Sequence, residues 1–218
     1  MVQERVTAIS YQAIFLDFDG VIVESPAIKI ESLMALYKGH GRRVMEKVKA
    51  HIEASEGISR LVKIRHCHKE YLGVDLTEAE LDRLGRRYTE LVEDRVAACP
   101  MVAGAMELFE GCYKSVALFV VSGTPQEELR RIAERRGLTR YFKDVRGSPK
   151  GKAEILRELI AGHSIDPARA LFVGDAMADY NASRECSVPF IGRVAPGRAG
   201  IFPDGTPTVG DLTELKVS

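Results

Sequence analysis

Asp17 and Asp19 stand two residues apart in Ile14-Phe15-Leu16-Asp17-Phe18-Asp19-Gly20, at the end of an apolar run. Side chains of an extended chain alternate, so both carboxylates face one side. Burying two such anions without compensating charge is unfavourable, so a cation or an open site is expected beside them. A second acidic pair, Asp175 and Asp179, lies one helical turn apart in Gly174-Asp175-Ala176-Met177-Ala178-Asp179. Together the four form an all-oxygen donor set. Hard oxygen ligands favour Mg²⁺, which takes one or two protein carboxylates and leaves its other positions to water and phosphate.

Two other stretches have the complementary character. Ser122-Gly123-Thr124-Pro125 follows the apolar run over 116–121 and opens a helix, with Thr124 read as its N-cap. Unpaired N–H groups at a helix start favour phosphate, which makes Ser122 and the backbone of Gly123 candidate ligands. Lys152 begins another helix, and Lys150 stands two residues before it. Either ammonium could neutralise phosphate oxygens or hold a carboxylate, and the residues leave the choice open.

These groups must be brought together by the elements that carry them. The runs ending at Leu16, Val121 and Val173 are apolar throughout, as expected of strands covered on both faces of a parallel sheet. Polar loops and helices alternate with them. The expected fold is therefore α/β, a doubly wound (Rossmann-like) parallel sheet, which places ligands at the carboxyl ends of its strands. Weaker strands are expected near 142–145 and 189–191, and the Gly- and Pro-rich tail reads as loop.

Between Glu24 and Ala98 the strand pattern stops and helical spacing takes over, with Ser25-Pro26 as a helix start and Thr77-Glu78-Ala79-Glu80 as a capping box. The expected organisation is a core of residues 1–23 and 99–218 interrupted by a helical insertion, 24–98. Between Lys38 and Glu70 the basic residues outnumber Glu46, Glu53, Glu56 and Glu70. Arg60, in what reads as a loop, Gly57-Ile58-Ser59-Arg60, is the candidate to close over an anionic substrate. His66 and His68, two apart on a helix, point about 200° apart and do not suit one metal ion.

Composition narrows the partners. The 218 residues are 45% hydrophobic and 28% charged, with 31 basic and 31 acidic side chains balancing to +0, so charge gives no reason to expect nucleic acid or an anionic membrane. Four separated cysteines without a CxxC pair read as reduced thiols, and the N-terminus lacks a signal-peptide core. A cytoplasmic protein is expected.

Asp17-Phe18-Asp19-Gly20-Val21, Ser122 after its strand, Lys152 (or Lys150) and Gly174-Asp175…Asp179 occur in the order of the four motifs of the haloacid dehalogenase superfamily, which the chain resembles over most of residues 11–192. The insertion is similar to the helical C1 cap of that superfamily. The resemblance implies a phosphatase in which Asp17 attacks phosphorus, forming an aspartyl-phosphate, while Asp19 serves as general acid and then base. It also implies Mg²⁺ held by Asp17, the backbone carbonyl of Asp19 and Asp175, supported by Asp179, with Ser122 and Lys152 on the phosphoryl oxygens. The dehalogenase branch lacks the second aspartate, so phosphoryl transfer is the expectation. The substrate class is a small phosphorylated metabolite. A sugar phosphomutase and a non-catalytic binding protein on the same fold are the alternatives.

Overall fold

The computed structural model describes residues 11–55 and 57–217. Residues 1–10 and Ser218, assigned to the core from sequence, and Glu56, counted with the acidic residues of the insertion, lie outside the described residues.

Burial on both faces dictates the central strand. β1 (Ala13–Leu16) is fully buried, with Ile14 and Leu16 facing one layer and Ala13 and Phe15 the other. β2 (Ala117–Pro125) and β4 (Ala170–Gly174) flank it in parallel, and β3 (Asp144–Ser148), β5 (Phe190–Arg193) and β6 (Thr208–Val209) complete the order β3-β2-β1-β4-β5-β6. The register sets Leu16 beside both Val120 and Val173. Asp17, Ser122 and Asp175, one or two residues further on, therefore stand at about the same level, Ser122 still within β2.

Helices cover both faces. α5 (Ala105–Cys112) and α6 (Gln126–Arg135) contribute Leu108, Phe109, Leu129 and Ile132 to the layer containing Ile14 and Leu16. α7 (Lys152–Gly162) and α8 (Met177–Glu185) bury Ile155, Leu156, Leu159 and Ala182 against Phe15, Phe119 and Phe172. This is the doubly wound α/β arrangement read from the sequence.

Between β1 and α5 the described residues form α1 (Pro26–Ala35), α2 (Arg42–Ala54), α3 (Arg60–Cys67), extended by a π-helical turn over His68–Leu72, and α4 (Glu78–Ala98). Thr77 and Glu80 cap α4 reciprocally, as the spacing predicts. Leu33, Tyr37, Val48, Ile52, Ile64, Tyr88 and Val92 pack among themselves, and the same apolar layer runs on through Val21, Ile22 and Val96 to the sheet. His66 stacks on His51 at 3.9 Å, whereas the His68 Nδ1 lies 3.1 Å from the Tyr37 hydroxyl, so the two imidazoles do diverge. Cys67, Cys99, Cys112 and Cys186 form no disulfide. No helix among the described residues is long and apolar enough to cross a membrane.

Several boundaries differ from the sequence expectation, each for a physical reason. β2 continues through Pro125, and α6 starts at Gln126, because Gln126 bonds across to the Val145 carbonyl and the Gly147 N–H and ties this corner to β3. β3 itself runs over Asp144–Ser148, later than the apolar pattern suggests, since its ladder with β2 pairs Phe119 with Asp144 and Val121 with Arg146. Ser25 does not cap α1 with its side chain; the hydroxyl turns to Asp19 instead. Arg60 lies in the first turn of α3, not in a loop.

The chain returns from the inserted helices to the core through a clamp. The Arg136 guanidinium donates to the carbonyls of Val96, Ala97 and Cys99 at 2.7–2.9 Å, satisfying the open end of α4. Arg136→Ala is expected to lower unfolding free energy by about 1–3 kcal/mol, the range for charged hydrogen bonds at a helix end. Urea unfolding measures it, and an unchanged midpoint would contradict the assignment.

Candidate active site

Asp17 is the first residue past β1, still bonded by its N–H to the Val173 carbonyl at 3.0 Å. Its carboxylate is buried, with Oδ1 accepting from the Phe18 N–H at 2.7 Å and Oδ2 2.9 Å from Lys152 Nζ. The same ammonium lies 2.5 Å from Asp179 Oδ1. Lys152 can reach both because it opens α7 beneath the ends of β1 and β4. Lys150 points elsewhere, to Glu158 and Glu154 on the outer face of α7. The ambiguity between the two lysines is thus a matter of where the helix begins.

Asp179, fully buried, bends back to accept from the Ala176 N–H at 3.1 Å. A side chain at Gly174 would overlap Asp179, so only glycine lets α8 sit this close to β4. Gly20 is required for a related reason. Its φ of +79° is a left-handed conformation, and a Cβ there would collide with the Asp175 carboxylate. Asp17, Asp175 and Asp179 each offer an oxygen within 4.8 Å of the others, a donor set able to hold a metal ion.

Asp19 faces a different set of partners. Ser25 donates to its Oδ1 at 2.5 Å, Thr124 donates to Oδ2 at 2.9 Å, and Lys29 pairs with the same Oδ2. Neither Lys29 nor the Thr124 hydroxyl was singled out from sequence for the site. Ser25 and Lys29 are four apart on one face of α1, and that spacing was the available signal. Ser122, buried, accepts the Thr124 N–H on its Oγ at 3.1 Å. Gly123 lies under the inserted segment: a Cβ there would come within 2.8 Å of the Gly57 carbonyl.

A cavity of about 90 Å³ joins these groups, with Asp17, Asp19, Ser122, Gly123 and Asp175 at its base and Ile30, Leu33, Ile58 and Tyr88 on its inserted side. Arg60 is on the wall, as the sequence suggested. Its guanidinium, however, is engaged: both terminal nitrogens meet Glu128 of α6 at 3.0 and 2.6 Å, one also bonds Thr89, and the group lies 4.7 Å over the Tyr88 ring.

The electrostatics split the two leading aspartates. Burial, reinforced by the charges of Asp179 and Asp19 and opposed by Lys152, pushes the Asp17 carboxyl up to about 7. Burial acts on Asp19 too, but the Lys29 charge and the bonds from Lys29, Ser25 and Thr124 outweigh it and hold that carboxyl below its ordinary value. Asp179 is raised by burial against the pull of Lys152. Lys152 is raised, its desolvation overcome by Asp17 and Asp179. Asp17 shares the Lys152 ammonium with Asp179, and its ionisation is resisted. A divalent cation within the three-carboxylate set would offset that resistance, so the residues present fit a metal ion.

A family model described as haloacid dehalogenase-like hydrolase matches residues 14–193. A phosphoglycolate phosphatase from Synechococcus elongatus is 25% identical over 181 residues, covering 80% of this chain and 79% of that protein. Among solved structures, β-phosphoglucomutase from Clostridium difficile superposes with a TM-score of 0.73 at 16% identity, covering 94% of this chain and 93% of that one. The magnesium-bound hydrolase YfnB from Bacillus subtilis gives 0.70 at 16% identity, over 94% and 96%. At such identities the structural likeness is one of fold.

The raised Asp17 has a signed consequence for stability. A carboxyl that holds its proton more tightly folded than unfolded destabilises the fold as pH rises between the two values. In chelator-treated protein, the stability of wild type relative to Asp17→Asn is therefore expected to fall as pH rises from about 4 to about 7. Added Mg²⁺ should reduce that fall. Urea midpoints across the pH series test this, and a flat difference would remove the assignment.

Proposed function

Because the chain belongs to the haloacid dehalogenase-like hydrolases, we propose that it is a Mg²⁺-dependent phosphatase that hydrolyses a small phosphate monoester through an aspartyl-phosphate. The observation that carries the reading is the convergence of two differently furnished aspartates on one cavity, Asp17 with Lys152 and Asp179, and Asp19 with Ser25, Lys29 and Thr124.

Asp17 is the nucleophile. One of its oxygens bonds to phosphorus while the ester P–O bond breaks, the electron pair leaving with the alcohol oxygen. Asp19 protonates that oxygen. An approaching phosphate dianion favours the protonated form of Asp19 by like-charge repulsion, which offsets the pull of Lys29. In the second step Asp19, now a carboxylate, takes a proton from water as the water oxygen attacks phosphorus, and Asp17 is released with inorganic phosphate. Ser122 Oγ and the Gly123 N–H hold phosphoryl oxygens, and Lys152 neutralises them while fixing Asp17. Asp17, Asp175, Asp179 and the Asp19 backbone carbonyl would hold Mg²⁺, whose charge lets an anionic nucleophile meet an anionic ester. The magnesium-bound relative of this fold supports the choice of ion.

In this reading residues 1–23 and 99–218 are the catalytic core and 24–98 a cap that excludes bulk water from the cavity. Arg60 is the cap side chain nearest in kind to a substrate contact, and a substrate anion would share it with Glu128. The substrate is a small phosphorylated metabolite, as the relative named for phosphoglycolate suggests, and four thiols without a disulfide suit the cytoplasm. A sugar phosphomutase would use the same aspartyl-phosphate and return the phosphoryl group to the sugar; its support is the fold likeness to β-phosphoglucomutase.

The decisive measurement is phosphate release over a panel of phosphorylated metabolites with Mg²⁺, beside a sugar-phosphate isomerisation assay. Asp17→Asn is expected to lower kcat by roughly 10³-fold or more, as for loss of a covalent nucleophile. Lys152→Met should be similarly impaired, and Lys150→Met should stay within about 2-fold of wild type, since it removes only exposed pairs. An Asp17→Asn enzyme as active as wild type would exclude Asp17 as the nucleophile, and a wild type that releases no phosphate from any ester and isomerises no sugar phosphate would leave a binding role.

A further inference from the structure

Lys29 is a charged side chain in the cavity wall that no motif accounts for. It stands on α1, the first inserted helix, and its ammonium spans the Asp19 carboxylate and, at 2.6 Å, the Thr124 hydroxyl. Thr124 in turn donates to Asp19, closing a three-membered ring of polar contacts, and Ser25 occupies the other carboxylate oxygen. Asp19 is thereby gripped from two directions. Ser25 and Lys29 come from the beginning of the insertion, and Thr124 comes from the end of β2, 95 residues beyond Lys29.

A carboxylate in a chain turn has two χ angles to settle, and proton transfer tolerates little error in distance. Thr124 alone could hold one oxygen. Only Lys29 ties that oxygen to the inserted helix as well. The Lys29 side chain is 23% exposed, and its ammonium is already engaged by Asp19 and Thr124. That favours a structural hold on Asp19 over direct capture of substrate.

We propose that Lys29 is a positioning residue for Asp19, fixing its carboxyl on the leaving-group side of the cavity and making proton transfer depend on the docking of α1. The proposal rests on the phosphatase reading. The step concerned breaks the ester P–O bond, sends its electron pair to the leaving oxygen, and moves the Asp19 proton to that oxygen. Asp19 ends as a carboxylate beside the Lys29 ammonium.

Phenyl phosphate and p-nitrophenyl phosphate separate this role from others, because the two esters are close in shape while phenolate needs the proton far more than nitrophenolate. Lys29→Met is expected to lose about 100-fold in kcat on phenyl phosphate and under about 10-fold on p-nitrophenyl phosphate, the scale of a misplaced general acid. Lys29→Arg should recover most of the difference. Equal losses on both esters would make Lys29 merely structural, and a raised KM with kcat intact would make it a substrate ligand; either overturns the proposal. A crystal structure of Lys29→Met gives a second, activity-independent answer. Asp19 turned away from Thr124 supports the proposal, and Asp19 unmoved overturns it. Should wild type release phosphate from neither ester, the phosphatase reading would suffer, and that structure would still decide the role of Lys29.

Discussion

Everything at this site depends on one buried ammonium placed between two buried carboxylates. Lys152 contacts Asp17 and Asp179 at 2.9 and 2.5 Å with almost no solvent near any of the three. Each charge alone would be strongly disfavoured in that setting, and the pairing offsets the loss of water only because the geometry is close. The constraint propagates outward. α7 must begin at Lys152, β4 must end in Gly174 so that Asp179 can lie against it, and the loop after Asp19 must turn through Gly20 to leave room for Asp175. One cation for two anions also leaves the cluster short of positive charge. That shortfall is why the three-carboxylate set of Asp17, Asp175 and Asp179 fits a metal ion.

The two aspartates of the opening motif are chemically the same and physically opposite. Asp17 is embedded among carboxylates, and its ionisation is resisted. Asp19 is surrounded by donors, and its ionisation is assisted. Environments that drive like groups apart are how a single site obtains distinct proton inventories. A cation beside Asp17 would oppose the first tendency and leave the second in place.

Much of this was legible in the sequence because it is local. Three apolar runs ending in Asp17, Ser122 and Asp175 announce strands and their exits, and parallel register then carries those ends to one level. The helix start narrows the lysine to Lys150 or Lys152, and the contacts of Lys152 with Asp17 and Asp179 separate the two. What escaped were contacts between distant segments. Lys29 looks like any solvent-facing lysine on an amphipathic helix, and Thr124 like a cap; only the fold sets them against Asp19. Glu128 reads as a first-turn acid complementing a helix dipole, yet it is buried and holds Arg60 from 68 positions away. The edges of β3 shifted because a ladder with β2 recruits Asp144 and Ser148, residues with little strand preference of their own.

Gly57 meets the core in a way that bears on how this scaffold can diversify. Its carbonyl rests over Gly123, and a Cβ at its own position would press on Ala176 and Ala178 at 2.9 and 3.0 Å. Backbone therefore lies close to backbone across the seam, with the methyl groups of Ala176 and Ala178 and the Lys152 ammonium beside it. The gap between inserted helices and sheet is set by the absence of atoms, and a single methyl at either glycine would act as a spacer. Variation at these two positions would widen the chamber for bulkier compounds, and at Gly57 it would also bring a methyl to 3.7 Å from the Lys152 ammonium.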